Sequence, residues 1–390
     1  MMASPLDALQ RLRHGIRGTH VPQVLGGSVL GLDIGTTSIK AVQLGGEPNA
    51  PALDTYGTIL LDRYAPEGGQ TLGAPVIGGA LADLLHEIQA AARGGGASLP
   101  QTACFMTTMQ VPKRDLEQMR RILPIEAKQY VPVPLETVQL EWGFFAEQRD
   151  PDALLRQSQA EGVMTSQRTV VMVAIERAAR AMRERALKEA GVTGDFLEPE
   201  FFSYMRAHEH SQKGPLLILD FGASATRIAL YDTRGQPLGT RLAKGGDSLT
   251  RALAEAFAGD VRAAEDAKRR FIAQPDTFDA KTARAVHTAI DAFTASVKEE
   301  ILTALEPHKE IAHPLPVSAI GGGHALAAHI AADWWNTHGM APVSPDLFAG
   351  ISLPVILADS IHAAGPRYAT AIGLALRALR RTPGATTPLS

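Results

Sequence analysis

Apolar residues along the chain recur at two periods, and the switches between them mark the elements. Val29–Ile34 is a short apolar run ending in Asp-x-Gly, and Ser38–Leu44 follows it. Together they predict two β-segments joined by a Gly/Thr turn. A third strand is expected near Leu53–Leu61. Over 75–92, Ile77, Leu81, Leu84, Leu85 and Ile88 share one face, which predicts an amphipathic helix ending before Gly94-Gly95-Gly96. Residues 102–112 read as a strand and 113–130 as a helix stopped by Pro132 and Pro134. Strands are expected at 136–146 and 168–175, flanking a polar stretch, 148–167, read as a mobile loop. A helix over 177–190 ends at Gly191. A new unit opens at Gly214-Pro215 with strands Leu216–Gly222 and Thr226–Asp232. Helices follow at 247–258, 261–272 and 279–305. Strand Val317–Ile320 runs into Gly321-Gly322-Gly323, and a last helix, 366–380, precedes a Pro/Thr tail, 381–390, expected to be disordered. Residues 1–28 read as an extension in which Leu6, Leu9, Leu12 and Ile16 recur at helical spacing among Arg11, Arg13 and Arg17. Such a helix either lies on an anionic membrane or docks on its own protein.

Composition narrows the function classes. A chain of 390 residues predicts more than one domain-sized unit. A net charge of −3 argues against a general nucleic-acid binder. The single cysteine, Cys104, rules out an intramolecular disulfide and reads as a small buried hydrophobe. There is no run of apolar residues long enough to span a bilayer and no signal-peptide pattern at the start, so a cytoplasmic location is expected. The 12 histidines show no HExxH spacing. His208 and His210 fall in a polar stretch and are expected at the surface, and Trp334-Trp335 is expected to pack rather than stack on a ligand.

The chemistry lies in a repetition. GLDIGTTSIKAVQL at 31–44 is echoed half a chain later by ILDFGASATRIALYD at 218–232. Asp33 is followed seven residues on by Lys40, and Asp220 seven residues on by Arg227. Gly35 and Gly222 permit close backbone approach and positive φ, and the turn N–H groups form an anion-binding nest. The candidate phosphate-binding set is Asp33, Gly35, Thr36, Thr37, Ser38 and Lys40 from the first loop, with Asp220, Gly222, Ala223, Ser224 and Thr226 from the second. Two aspartates suit a triphosphate when a hard cation lies between, so Asp33 and Asp220 are candidates to hold Mg²⁺ through water. One such loop alone is equally a plain hairpin turn; the matched pair, with the strand–triple-glycine–helix of VSAIGGGHAL, points to a nucleotide.

These three motifs, in this order, resemble the phosphate-1, phosphate-2 and adenosine motifs of the actin-like ATPase superfamily. MRRILPIEAKQYVPVPLETVQLEW, GGDSLTRALAEAF with AEDAKRRF, and the terminal YATAIGLALR resemble the PilM family of type IV pilus assembly proteins within it. The resemblance implies an α/β fold of two duplicated core subdomains, each with an insertion. The first core is expected at 29–101 plus 193–213 and 366–380, with an FtsA-type inserted subdomain at 102–192. The second is expected at 214–245 plus 313–365, with a nucleotide-covering insertion at 246–312. It further implies ATP and Mg as ligands, with Glu265 and Lys268 holding ribose and adenine beside Gly321, Gly322 and Gly323; taken alone, that pair reads as a solvated helix pair. The implied role is a cytoplasmic scaffold, peripheral to the inner membrane, that captures the N-terminal peptide of a PilN-like inner-membrane protein. Glu126, Tyr130 and Pro132 of the inserted subdomain are the expected contacts, and self-association and pilus motor components are further implied partners. ATPase activity is expected to be slow at most: Glu198 and Glu200 are the candidate carboxylates for orienting water, Glu200 reading equally as a surface group. The rival readings are an FtsA-like division filament, a small-molecule kinase of the same superfamily, and an actin-like relative from another secretion machine.

Overall fold

Leu216–Phe221 is buried at every position and Val29–Ile34 at all but the first. Strands this apolar on both sides need cover on both faces. The computed structural model describes residues 27–64, 72–112, 116–144, 167–273 and 278–380. The expected extension 1–26, residues 148–166 of the polar loop and the tail 381–390 lie outside the described residues. The chain runs β1 (Val29–Ile34), β2 (Ser38–Glu47), β3 (Ala50–Leu60), α1 (Ala74–Glu87), β4 (Gly94–Leu99), β5 (Cys104–Pro112), α2 (Leu116–Tyr130), β6 (Val138–Phe144), β7 (Gln167–Glu176), α3 (Arg177–Glu189), β8 (Thr193–Pro199) and α4 (Glu200–His208). It continues β9 (Leu216–Phe221), β10 (Ala225–Tyr231), β11 (Pro237–Lys244), α5 (Gly246–Ala254), α6 (Val261–Ala273), α7 (Ala280–Leu305), β12 (Leu315–Ile320), α8 (Ala332–Thr337), β13 (Met340–Val343) and α9 (Ala358–Arg380).

Two five-stranded sheets have the same plan. The first is ordered β3-β2-β1-β4-β8 and the second β11-β10-β9-β12-β13, each with an antiparallel meander on one side and parallel strands on the other. The sequence echo is therefore a structural duplication. A third, antiparallel sheet, β5-β7-β6, carries α2. Its own small core sets Met119, Leu123 and Ala127 of α2 and Val131 just after it, spaced four apart, against Val170, Met172 and Ala174 of β7. The opposite face of β7 (Val171, Val173, Ile175) joins the main core, which also contains α1, α4, α9, both faces of the first sheet and one face of the second. The far side of the second sheet packs on α5, α6 and α7.

Several expectations change. Gly94-Gly95-Gly96 opens strand β4 instead of merely following a helix, which itself ends at Glu87. A Cβ on Gly95 would lie 2.0 Å from Leu30 O, and one on Gly96 2.1 Å from the Phe196 ring, so the neighbouring strands occupy the space that side chains would need. The last helix starts at Ala358, and Pro366 lies inside it. Residues 193–208, expected as polar connection, are β8 and α4, and His208 is fully buried. Its Nδ1 is 2.7 Å from Tyr204 O and its Nε2 2.9 Å from Ser318 Oγ. His210 is exposed. Trp335 is buried in the second core with Trp334 edge-on against it. Cys104 is half-buried against the main core, and burial, followed by the Glu200 and Glu176 charges, pushes its thiol up, so it is inert.

Candidate functional site

The seven-residue spacings are cross-strand registers. The β1–β2 hairpin places Lys40 opposite Asp33, and the β9–β10 hairpin places Arg227 opposite Asp220. Both turns close with the same bond: Gly35 N donates to Ser38 O at 3.0 Å, and Gly222 N to Ala225 O at 3.1 Å. Contrary to expectation, neither glycine has positive φ. Space is what requires them: a Cβ would lie 3.0 Å from Ser38 O at Gly35, and 2.8 Å from Ala225 O at Gly222. Thr36, Thr37 and Ser224 are exposed at the two tips, with Ser38 and Ala223 half-buried beside them. Thr226 is buried and its hydroxyl donates to Lys244 O at 2.7 Å, so it serves its own sheet.

Neither aspartate is a bare carboxylate. Lys40 Nζ donates to Asp33 Oδ2 at 2.9 Å, and Ser98 Oγ to Oδ1 at 3.4 Å. Burial works against the Lys40 ammonium, but Asp33, with Asp220 and Glu200 behind it, more than offsets this and raises its pKa. The expected phosphate cation is thus already paired. On the other side, Asp220 Oδ2 accepts from Tyr204 OH at 2.8 Å and lies 3.3 Å from Arg227 Nη1. Glu200, the first residue of α4, is 3% exposed, which overturns the surface reading. Its Oε2 is 2.5 Å from Arg227 Nε and accepts from Gln101 N at 3.2 Å. Burial lifts the Glu200 carboxyl to about 7 against the pull of Arg227, with Asp33 and Asp220 adding to the lift. Arg183 of α3 donates to Ile34 O at 2.7 Å. Glu198 is held away from this cluster between Arg206 and Arg377.

The adenosine-type elements meet the second hairpin. Gly321 has φ +85°, and a Cβ there would lie 2.1 Å from Asp220 Oδ1. Gly323 N donates to Phe221 O at 3.0 Å, while Gly322 faces open space. The start of α5 rests on the same hairpin: Gly246 N donates to Gly222 O at 3.0 Å and Asp247 N to Ala223 O at 2.8 Å. Glu265 and Lys268 are not a solvated pair. Lys268 is buried, with Nζ 2.6 Å from Glu265 Oε2 and donating to Thr250 Oγ1 at 2.8 Å and Gly246 O at 3.2 Å, so the pair ties α6 to α5 above the hairpin. Sequence reasoning missed Ser98, Gln101, Arg183 and Tyr204, none of which lies in a recognisable motif, and Thr250, which lies inside GGDSLTRALAEAF; Gly245-Gly246-Asp247 before an apolar-periodic stretch was a readable helix start.

Among the described residues, no group of three or more His, Cys, Asp or Glu side chains is placed to hold a metal directly. Two carboxylates that each already carry a cationic partner fit a cation bound through its water shell. Also among the described residues, no helix is long and apolar enough to cross a membrane.

The expected partner residues lie on α2 and just after it: Glu126 half-buried, Tyr130 and Pro132 exposed, with Ile125 and Val133 also exposed nearby. A separate groove of about 360 Å³ lies where α3 meets the first sheet. It is lined by Arg180, Glu184, Leu187 and Lys188 of α3 and by 191–197, including the outer strand β8. The α2 residues do not line it.

Duplicated sheets of one order, matched Asp hairpins and a glycine turn abutting the second of them define the fold of the actin-like ATPases. The sequence pattern of the family described as type IV pilus assembly protein PilM matches residues 31–379, and the chain belongs to that family. It is similar to a chain of the solved PilM-PilN type IV pilus biogenesis complex, at 26% identity over 90% of this chain and 99% of that one, with a TM-score of 0.72. It shares its fold with the ethanolamine utilization protein EutJ from Carboxydothermus hydrogenoformans, at 16% identity, 95% and 96% coverage and a TM-score of 0.50.

Proposed function

We propose that this PilM-family protein is a cytoplasmic, ATP-binding scaffold of type IV pilus assembly, and that Mg·ATP binds between the two Asp hairpins as a clamp on the two halves. The observation that carries the nucleotide reading is the pair of equivalent hairpins, from opposite sheets, whose aspartates both act on Lys40 and Glu200. Asp33 and Asp220 would hold the cation through water, the turn residues the phosphates, and Gly321–Gly323 with Glu265 and Lys268 the nucleoside. A bound cation supplies neutralisation of phosphate charge. Glu200 is tied to Arg227 and Gln101, and Glu198 to Arg206 and Arg377, so neither candidate carboxylate is free to act as a base, and turnover is expected to be slow. Calorimetry with Mg·ATP tests the reading. Asp33→Ala and Asp220→Ala should each weaken binding by about tenfold or more, roughly 1.4 kcal/mol. The wild type should release phosphate far more slowly than the ~10 s⁻¹ of a typical enzyme. Equal binding by all three proteins, or fast unstimulated release, would reject it.

The partner reading rests on family membership and on the groove beside β8. Among the described residues no strand pairs with the outer edge of β8, and Thr193 and Gly194 are exposed there. An extended peptide adds to such an edge through backbone bonds while apolar side chains enter the groove. The N-terminal cytoplasmic peptide of a PilN-like inner-membrane protein is the proposed occupant, and it would bring this protein to the membrane. In a fluorescence-anisotropy titration with that peptide, Thr193→Trp, which fills the groove, should weaken binding by about tenfold, whereas Tyr130→Ala on α2 should not. The reverse pattern would move the site to α2.

A further inference from the structure

Helix α4 crosses the second sheet with a polar stripe on its buried side. Glu200, Tyr204 and His208 stand four residues apart, one above the other on a single helical face. Glu200 meets Arg227 of β10, Tyr204 meets Asp220 of β9, and His208 meets Ser318 of β12. These strands are consecutive in the sheet. The helix therefore reaches one side chain into each strand that leads to the candidate nucleotide loops.

We propose that Tyr204 is a positioning residue for the nucleotide cleft, its hydroxyl holding the Asp220 carboxylate in the orientation that faces the ligand. This inference rests on the nucleotide reading above. Tyr204 is fully buried, and its hydroxyl donates to Oδ2 at 2.8 Å. Arg227 Nη1 approaches the same oxygen at 3.3 Å. The other oxygen, Oδ1, lies where a Cβ of Gly321 would be. One carboxylate oxygen is thus fixed from the α4 side, and the other is directed at the glycine turn. Core packing alone would be satisfied by phenylalanine. The hydroxyl has a further role only because it meets a charged acceptor, where a hydrogen bond is stronger than between neutral groups. Burial, with the Asp220 and Glu200 charges, keeps the phenol protonated and therefore a donor across the working pH range.

Tyr231 supplies the control. It is equally buried, at the far end of β10 from the hairpin tip, and its hydroxyl donates to Phe201 O of the α4 backbone at 2.5 Å. Mg·ATP binding to the full chain is measured by calorimetry for wild type, Tyr204→Phe and Tyr231→Phe, with melting temperatures taken in parallel. Tyr204→Phe should weaken Mg·ATP binding about tenfold, and the deficit should shrink when ATP is titrated in EDTA. Tyr231→Phe should lower the melting temperature while leaving affinity unchanged. Equal affinity in wild type and Tyr204→Phe, or an equal loss in both variants, overturns the proposal. No binding by the wild type overturns the nucleotide reading and this inference with it. If Tyr204→Phe does not fold, 3-fluorotyrosine placed at 204 and at 231 in turn keeps the test open. The fluorine resonance should move on adding Mg·ATP at 204 and stay at 231; a still resonance at 204 overturns the proposal.

Discussion

Two buried titratable residues on α4 respond to pH in opposite senses. Burial holds the His208 imidazole down at about 4, so it is neutral near pH 7. In the unfolded chain it takes up its proton near 6.5. Between those values the unfolded state binds the extra proton, so the contribution is complete above 6.5 and is lost as pH falls towards 4. Glu200 runs the other way. Its folded value of about 7 lies above the unfolded 4.5, so its contribution is present below 4.5 and is lost as pH rises through 7. Each swing is on the order of 3 kcal/mol. Melting curves between pH 4 and 8 check this. The stability gap between wild type and His208→Gln should narrow on acidification, and the gap between wild type and Glu200→Gln should fall on alkalinisation. Curves parallel to wild type for both variants would contradict the assignment. The histidine was unreadable as a core residue because its neighbours Arg206, Glu209 and His210 are polar, and only tertiary burial distinguishes it.

At the scale of elements, legibility followed periodicity. The Asp33 and Asp220 hairpins were readable because apolar strands flank a short polar turn, and the Asp-to-basic spacing is a cross-strand register that local sequence fixes. Helix α2 was readable because Met119, Leu123 and Ala127 share one face. Helix α4 was not. Its buried face carries the polar Glu200, Ser203 and His208 among Phe201, Tyr204 and Ala207, while the half-buried opposite side carries the apolar Phe202 and Met205, so no polar face marks a helix. The cause is its place between the second sheet and α9, where a Cβ on Gly373 would lie 1.9 Å from Ser203 O. Strand β4 was hidden by its three glycines, which usually break structure, and the start of α9 by Pro366, which usually opens a helix. At Pro366 the carbonyl has a second use, accepting from Gly321 N at 2.8 Å, so the proline turn of α9 supports the glycine turn of the cleft. At the candidate site, the loops were legible and their support was not: Ser98, Gln101, Arg183 and Tyr204 come from four separate segments that only the fold brings together.

For the whole molecule, the distribution of cores decides what a nucleotide can stabilise. One continuous core joins the first sheet, α4, α9 and the facing side of the second sheet, where Leu216, Ile218, Ala229 and Tyr231 take part. The α2 side of the inserted sheet has a core of its own and reaches the main one through the other face of that sheet, with Val171, Val173 and Ile175 of β7 beside Cys104 and Met106 of β5. A ligand held by both hairpins acts directly on the main core, and on the α2 core only indirectly, through the shared sheet. Binding that favours the folded state contributes RT ln(1 + [L]/Kd), about 2.7 kcal/mol at a hundredfold excess over Kd. Hydrogen exchange with and without saturating Mg·ATP should therefore slow at 33–40, 220–227 and 321–324 and along α4, where local opening requires the clamp to release. Exchange in α2 and β6 should stay unchanged. Uniform protection across the inserted sheet would show that the two cores open together, and protection of only one hairpin would show that the nucleotide binds one half without bridging to the other.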